Sequence, residues 1–279
     1  MTRSPSRRIR RGAIVAVLAA GGLTVLTACG SGGSSSGTSS AATNSATTSA
    51  TPAAGGTLTV FAAASLKNTF TELGQTFEQQ NPGSTVTFNF AGSSDLVTQL
   101  TSGAPADVFA SADQNNMTKA VSGSVIAGTP VNFASNILTI VTPPGNPKGV
   151  TGFADLANPD LQVVVCAPQV PCGTATQKVE QNTGVTLTPV SEESSVTDVL
   201  NKVQTGQADA GLVYVTDAAG AGDKVTEVTF TEAAAVVNVY PIATVKDGPQ
   251  PELASKFVDL VTGPDGQQIL KDAGFEPAP

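Results

Sequence analysis

The chain has no histidine anywhere and no arginine beyond Cys29. Without histidine, the usual general base and the commonest nitrogen metal ligand are missing, so most acid–base and metal chemistry is excluded. No Ser-His-Asp set is possible, and Ser65-Leu66-Lys67 lacks the S-x-x-K spacing of a serine–lysine pair. Positive charge is scarce as well. All five arginines, Arg3, Arg7, Arg8, Arg10 and Arg11, precede the first acidic residue. Once that segment is set aside, nine lysines face 22 acids, a formal charge of −13 in place of −8 for the whole chain. Such a negative exterior argues against nucleic acid and against anionic membrane surfaces as partners. It also gives an anionic ligand no long-range attraction, so any anion site here must work through short-range, preorganised donors.

One local design does recur. A β-rich run ends in a turn of Gly, Ala and Ser, and the turn opens into an amphipathic helix. Thr57–Phe61 runs into Ala62-Ala63-Ala64-Ser65, and Val86–Phe90 runs into Ala91-Gly92-Ser93-Ser94. Val163-Val164-Val165 is followed by Pro171-Cys172-Gly173-Thr174. Helix N-termini with unpaired N–H groups and small hydroxyl neighbours hold anions without a cationic side chain. The pattern reads as a protein that holds an oxyanion rather than one that transforms a substrate.

The N-terminus is an address. A basic stretch precedes the apolar run Gly12–Leu26, which is too short to span a bilayer and has the charge order of an export signal. The run ends in Leu26-Thr27-Ala28-Cys29, which resembles a bacterial lipobox, an ordinary cleavage site being the alternative. Residues 1–28 are therefore expected to be a lipoprotein signal peptide. Cys29 would be the lipidated first residue, tethering the mature protein to the outer face of the cytoplasmic membrane. Residues 29–56 carry no charge and no aromatic side chain, and read as a flexible Ser/Thr/Gly linker. The remainder suits one large domain or two ordinary lobes. Cys166 and Cys172 enclose a five-residue loop bent by Pro168 and Pro171. In an exported chain this reads as a structural disulfide; metal binding without histidine, or a redox pair, fits the spacing less well.

The elements alternate. Strands are expected at Thr57–Phe61, Thr85–Phe90, Ala106–Ala110, Asn136–Val141, Leu161–Val165, Ala210–Val215 and Val236–Ile242. Helices are expected at Leu66–Gln79, Leu96–Thr101, Asp113–Ser122, Phe153–Leu156, Thr174–Gln181, Ser195–Thr205, Leu253–Leu260 and Asp265–Ala273. Such alternation gives α/β sheets with crossover helices, and ligands in these folds lie at the carboxyl ends of strands, where the small-residue turns fall.

These turns carry a family resemblance. Phe61-Ala62-Ala63-Ala64-Ser65-Leu66 resembles the opening motif of periplasmic molybdate-binding proteins of ABC importers. Ala91-Gly92-Ser93-Ser94-Asp95-Leu96, with Gln99 a turn later, follows in the family's order, and so does the stretch Gly103–Asp113. Pro171-Cys172-Gly173 and the stretch Gly211–Ala218 complete the set. The resemblance implies a two-lobe type II periplasmic-binding-protein fold, each lobe a mainly parallel sheet flanked by helices, joined by two crossover strands. Residues 57–135 with 239–279 would form the first lobe and 136–238 the second. It implies ligand contacts at Ser65 and Ser93, each giving a hydroxyl and an N–H, at Cys172 and Val196 through N–H groups, and at Tyr214 through its phenol. Molybdate, or tungstate of nearly the same size, would be held through its oxygens with no protein–metal bond and no cofactor. A monomer that delivers its ligand to a membrane permease is implied.

Plainer readings exist for each residue. Ser65 and Ser93 fall at N-cap positions and could merely cap their helices. Val196 fits an apolar first-turn residue packed inward, and Tyr214 a core tyrosine bonded to backbone. Asp95 suits the dipole of its helix, and would act as an acceptor for a protonated anion only if it faced the cleft. Hydrogen bonds to a charged group contribute roughly 1.5–3 kcal/mol each, so about seven donors exceed the ~8 kcal/mol of micromolar binding. Neutral donors suit a fully ionised dianion, whereas hydrogen phosphate needs an acceptor. Sulfate or phosphate in the same fold, a secreted serine hydrolase and an inert adhesin are the competing readings.

Overall fold

The computed structural model describes residues 55–279. The export signal, Cys29 and most of the linker lie outside the described residues. The chain opens with β1 (Thr57–Ala63), a single 3-10 turn over Ala64–Leu66 and α1 (Lys67–Gln80). It continues through β2 (Thr85–Ala91), α2 (Ser93–Thr101), β3 (Val108–Ala110), α3 (Gln114–Ser122) and β4 (Ile126–Asn136). A second series follows: β5 (Leu138–Thr142), β6 (Val163–Cys166), α4 (Pro171–Thr183), β7 (Ser191–Glu193), α5 (Val196–Gln204), β8 (Ala210–Tyr214), α6 (Val215–Ala221) and β9 (Thr226–Val228). Finally β10 (Asn238–Val245), α7 (Pro251–Thr262) and α8 (Pro264–Asp272) return to the first series.

The strands form two five-stranded sheets, ordered β2-β1-β3-β10-β4 and β7-β6-β8-β5-β9. In the first, β1 pairs parallel with β2 and β3, and β10 runs antiparallel to both its neighbours. The second repeats the plan, with β6 parallel to β7 and β8 and with β5 as the reversed strand. Each sheet thus has one reversed strand among five, which accords with two mainly parallel α/β lobes. The chain passes between the sheets twice, from β4 into β5 and back into β10. At the crossing β4 and β10 pair with each other, Asn136 opposite Asn238.

The first lobe has an aromatic core. Phe257 of α7 meets Phe77 and Phe70 of α1 at ring-centroid distances of 5.4 and 5.9 Å, and Phe70 meets Phe133 at 5.8 Å. The second lobe is filled by β-branched and aliphatic residues such as Val163, Val164, Val199, Val203, Ile140 and Leu212, all buried. This follows from the sequence. Strands covered by helices on both faces read as continuous apolar runs.

Several boundaries differ from expectation. Helix α4 begins at Pro171 rather than Thr174, because proline at the first helical position loses no bond and has its φ preset. β5 begins at Leu138, since Asn136 is still the end of β4. β4 itself, eleven residues long, carries no strand signal in the sequence, because Gly128 (φ 70°) and Pro130 mimic a loop. It is tolerated as an edge strand, where proline costs no ladder bond. Pro241 lies within the interior strand β10, at a register shift between Tyr240 and Pro241, where a bulge removes the need for its N–H. The short β7 and β9 and the helix α6 also carry no periodic signal.

Candidate oxyanion-binding site

Ser65, Ser93, Cys172, Val196 and Tyr214 all line one small, narrow cavity, together with Ala63, Ala64, Gly92, Ala112 and Val170. The first half of this lining comes from the lobe of β1–α3 and the second from the lobe of β5–β9. Ala64 and Ser65 also border a wider polar cleft that includes Lys67, Asn68, Asn201 and Lys224.

The five residues reach the cavity by different routes. β1 ends at Ala63, and Ser65 sits inside the following 3-10 turn, not at an N-cap. Its hydroxyl caps nothing; it lies 3.1 Å from the Tyr240 hydroxyl. β2 ends at Ala91, Gly92 is the N-cap of α2, and Ser93 is the first helical residue. Ser93 is fully buried, and its Oγ accepts the Ala112 N–H at 3.0 Å. The expected N-cap position of both serines is therefore corrected. Each lies just inside its helical turn, because the preceding small residue, Ala63 or Gly92, makes the transition.

In the other lobe, Cys172 is the second residue of α4 and is disulfide-bonded to Cys166 at the end of β6. Val196 is the first residue of α5, whose N-cap Ser195 accepts the Asp198 N–H at 3.2 Å. The Val196 side chain is packed in the core, leaving its N–H at the helix end. Tyr214 ends β8, fully buried, with its phenol oxygen accepting from Asn238 Nδ2 at 2.9 Å. The first backbone N–H groups of a helix have no intrahelical acceptor. The starts of α2, α4, α5 and the turn before α1 thus converge on one cavity, and each brings positive dipole potential.

No lysine or arginine lines the cavity among the described residues. Burial pushes the Tyr214 phenol well above its ordinary pKa, with Tyr240, Asp113 and Asp217 adding to the shift, so it stays a neutral donor. Asp217, in the first turn of α6, accepts the Tyr214 N–H at 3.1 Å; desolvation pushes its carboxyl up to about 7, partly offset by that bond. Burial also raises Asp113, against hydrogen bonds from Asn116. Asp95 is exposed on α2 and does not line the cavity.

The lobes meet around the cavity. A Cβ on Gly92 would lie 2.1 Å from the Ser194 carbonyl oxygen of the other lobe, so only glycine permits this approach. Asn116 Nδ2 donates to the Gln169 carbonyl at 3.3 Å across the same seam.

Residues 58–276 match the family model described as bacterial extracellular solute-binding protein. The chain belongs to that family. It is 58% identical over 219 residues to the molybdate-binding protein ModA of Mycobacterium tuberculosis, covering 78% of this chain and 84% of that protein. It is 33% identical over 230 residues to the molybdate-binding protein ModA of Escherichia coli, covering 79% and 89%. The fold matches the periplasmic molybdate-binding protein of Azotobacter vinelandii with a TM-score of 0.69 at 24% identity, covering 78% and 98%. The relatives are solute-binding proteins, not enzymes, which sets aside the hydrolase reading. The residues behind this solute-binding protein's cavity, Asn238 and Tyr240, were not singled out from sequence. Their signal is faint: two polar-tipped side chains at alternate positions in an otherwise apolar strand.

Proposed function

We propose that this protein captures molybdate, and tungstate with it, in the cavity between its lobes and delivers the anion to an ABC permease. The observation that carries the reading is the convergence of four helix or turn N-termini and the Tyr214 phenol on one cavity lined by no cation. Ser65 and Ser93 donate from hydroxyl and backbone, Cys172 and Val196 from backbone, and Tyr214 from its phenol. The protein's relatives with named ligands, at 58% and 33% identity, are molybdate-binding proteins. Lipidation of Cys29 holds the mature, monomeric chain at the outer face of the cytoplasmic membrane, and the uncharged linker gives it reach.

A donor-only cavity supports a fully ionised tetrahedral dianion, because each oxygen accepts and none must donate. Closure of the lobes desolvates the anion and strengthens each of these bonds. Isothermal titration of the chain from residue 30 onward with molybdate, tungstate, sulfate and phosphate tests the reading. One molybdate or tungstate per chain at micromolar affinity or better is expected, with sulfate and phosphate weaker by at least about 100-fold. No heat with molybdate alongside saturable sulfate or phosphate binding would overturn the ligand and keep the class.

A further inference from the structure

Three hydroxyls face the cavity, and each has a hydrogen-bonding partner behind it. The Ala112 N–H donates to Ser93 Oγ at 3.0 Å. Asn238 Nδ2 donates to the Tyr214 oxygen at 2.9 Å and to the Ala112 carbonyl at 3.0 Å. A carbonyl only accepts, so the Asn238 atom facing it is the NH₂ group, and the orientation of the amide is settled by chemistry. Ser65 Oγ lies 3.1 Å from the Tyr240 hydroxyl. Of these two hydroxyls the phenol is the stronger acid and the better donor.

Asn238 and Tyr240 are two residues apart on β10, so both side chains emerge from the same face of the returning crossover strand. Both are buried. The Tyr240 ring packs edge-on against Tyr214 at 5.9 Å, which fixes the two phenols relative to each other. A hydroxyl has one proton to give. When a donor occupies its rear lone pair, that proton is left to point elsewhere. Ser93 donates to no protein acceptor among the hydrogen bonds of the described residues, and the Tyr214 phenol, which accepts from Asn238, has the Tyr240 phenol as its other side-chain neighbour.

We infer that Asn238 and Tyr240 are specificity-determining positioning residues: by donating from behind, they turn the protons of Tyr214 and Ser65 into the cavity, and the Ala112 backbone that Asn238 holds does the same for Ser93. The cavity is thereby fixed as donor-only, and it rejects tetrahedral anions that carry a proton. This rests on the oxyanion reading above and adds what enforces its selectivity. The residues touch no ligand themselves; they act through Ser65, Ser93 and Tyr214.

The test compares wild type, Tyr240→Phe and Asn238→Ala as the chain from residue 30 onward. Molybdate, sulfate and phosphate affinities are measured at pH 8, where phosphate still carries one proton, and thermal melts report folding. Wild type is expected to prefer molybdate over phosphate by about 1,000-fold or more. In Tyr240→Phe, Ser65 is free to accept, so molybdate binding falls by less than about 10-fold while the molybdate-to-phosphate ratio narrows by at least about 10-fold. Asn238→Ala narrows it in the same direction through Tyr214. Weakening of all three anions in proportion, with the ratio held within about threefold, would mean a merely structural role and overturn the inference. If Asn238→Ala does not fold, Tyr240→Phe, which loses one oxygen, decides alone. Wild type that binds no molybdate would instead sink the oxyanion reading itself, a separate and distinguishable result.

Discussion

The two halves of the cavity are built differently. The first lobe offers side-chain hydroxyls, Ser65 and Ser93, on small-residue turns after β1 and β2. The second offers backbone N–H groups, at Cys172 and Val196, with only Tyr214 supplying a side-chain donor. A hydroxyl rotates, so it must be aimed by something behind it: Ala112 and Asn238 donate to Ser93 and Tyr214, and the Tyr240 hydroxyl lies against Ser65. A backbone N–H points where the chain path sends it, so it needs a fixed path instead. The Cys166–Cys172 disulfide and the Ser195 cap fix that path at α4 and α5. Side chains at such helix starts are thereby free to pack, and the Cys172 and Val196 side chains are both buried.

The largest effect is expected where the halves meet. Gly92→Ala would place a Cβ against the Ser194 carbonyl oxygen and hold the lobes apart. Molybdate affinity should fall by more than about 100-fold with little change in the melting temperature of the ligand-free chain. Wild-type affinity in this variant would show that closure does not depend on the seam.

Next in size is a direct contrast of the two donor types. Ser93→Ala removes a hydroxyl donor and leaves the Ala112 N–H without its acceptor, and should cost roughly 10- to 100-fold in affinity. Val196→Ala keeps its N–H; affinity should stay within about threefold while the chain loses about 1–2 kcal/mol of stability from its core. If both variants lose affinity equally, Val196 acts through its side chain and the contrast fails.

The disulfide comes next. Cys166→Ala with Cys172→Ala keeps the Cys172 backbone donor and removes its tether. Affinity is expected to drop by about 10-fold, and chemical denaturation to show a loss of about 2 kcal/mol. An unchanged affinity would confine the bridge to stability.

The smallest effect on affinity concerns Asp217, whose carboxyl is pushed from an ordinary 3.8 up to about 7 by burial. Its unfolded form binds fewer protons than the folded form between these values, so it makes stability fall as pH rises from about 4 to 7. Asp217→Asn, which can still accept the Tyr214 N–H, should melt higher than wild type at pH 8 and level with it near pH 4. A difference that is the same at both pH values would mean that the carboxylate is not titrating in that window.

Much of this was legible in the sequence because turn chemistry is local. Small residues after a β-run mark where a helix start approaches a ligand, which singles out the turns at Ser65, Ser93 and Cys172; Val196 and Tyr214 came from the family resemblance, and all five line one cavity. The alternation of runs and helices likewise gave the α/β class, and the family resemblance its division into two lobes. What escaped was non-local. β4 carries Gly128 and Pro130 and is held only by its partner β10, so no period betrays it. The N-cap reading of Ser65 and Ser93 missed by a residue or two, because Ala63 and Gly92 make the entry to each turn. Asn238 and Tyr240 matter through contacts to Tyr214, Ala112 and Ser65, which are distant in sequence and joined only by the fold.

The most direct test of a cavity built from neutral donors is a crystal structure of the molybdate-bound protein. The anion is expected between the lobes, its oxygens about 2.7–3.1 Å from the Ser65 and Ser93 hydroxyls, the Cys172 and Val196 N–H groups and the Tyr214 phenol. Molybdate found instead in the neighbouring cleft beside Lys67 and Lys224 would contradict it.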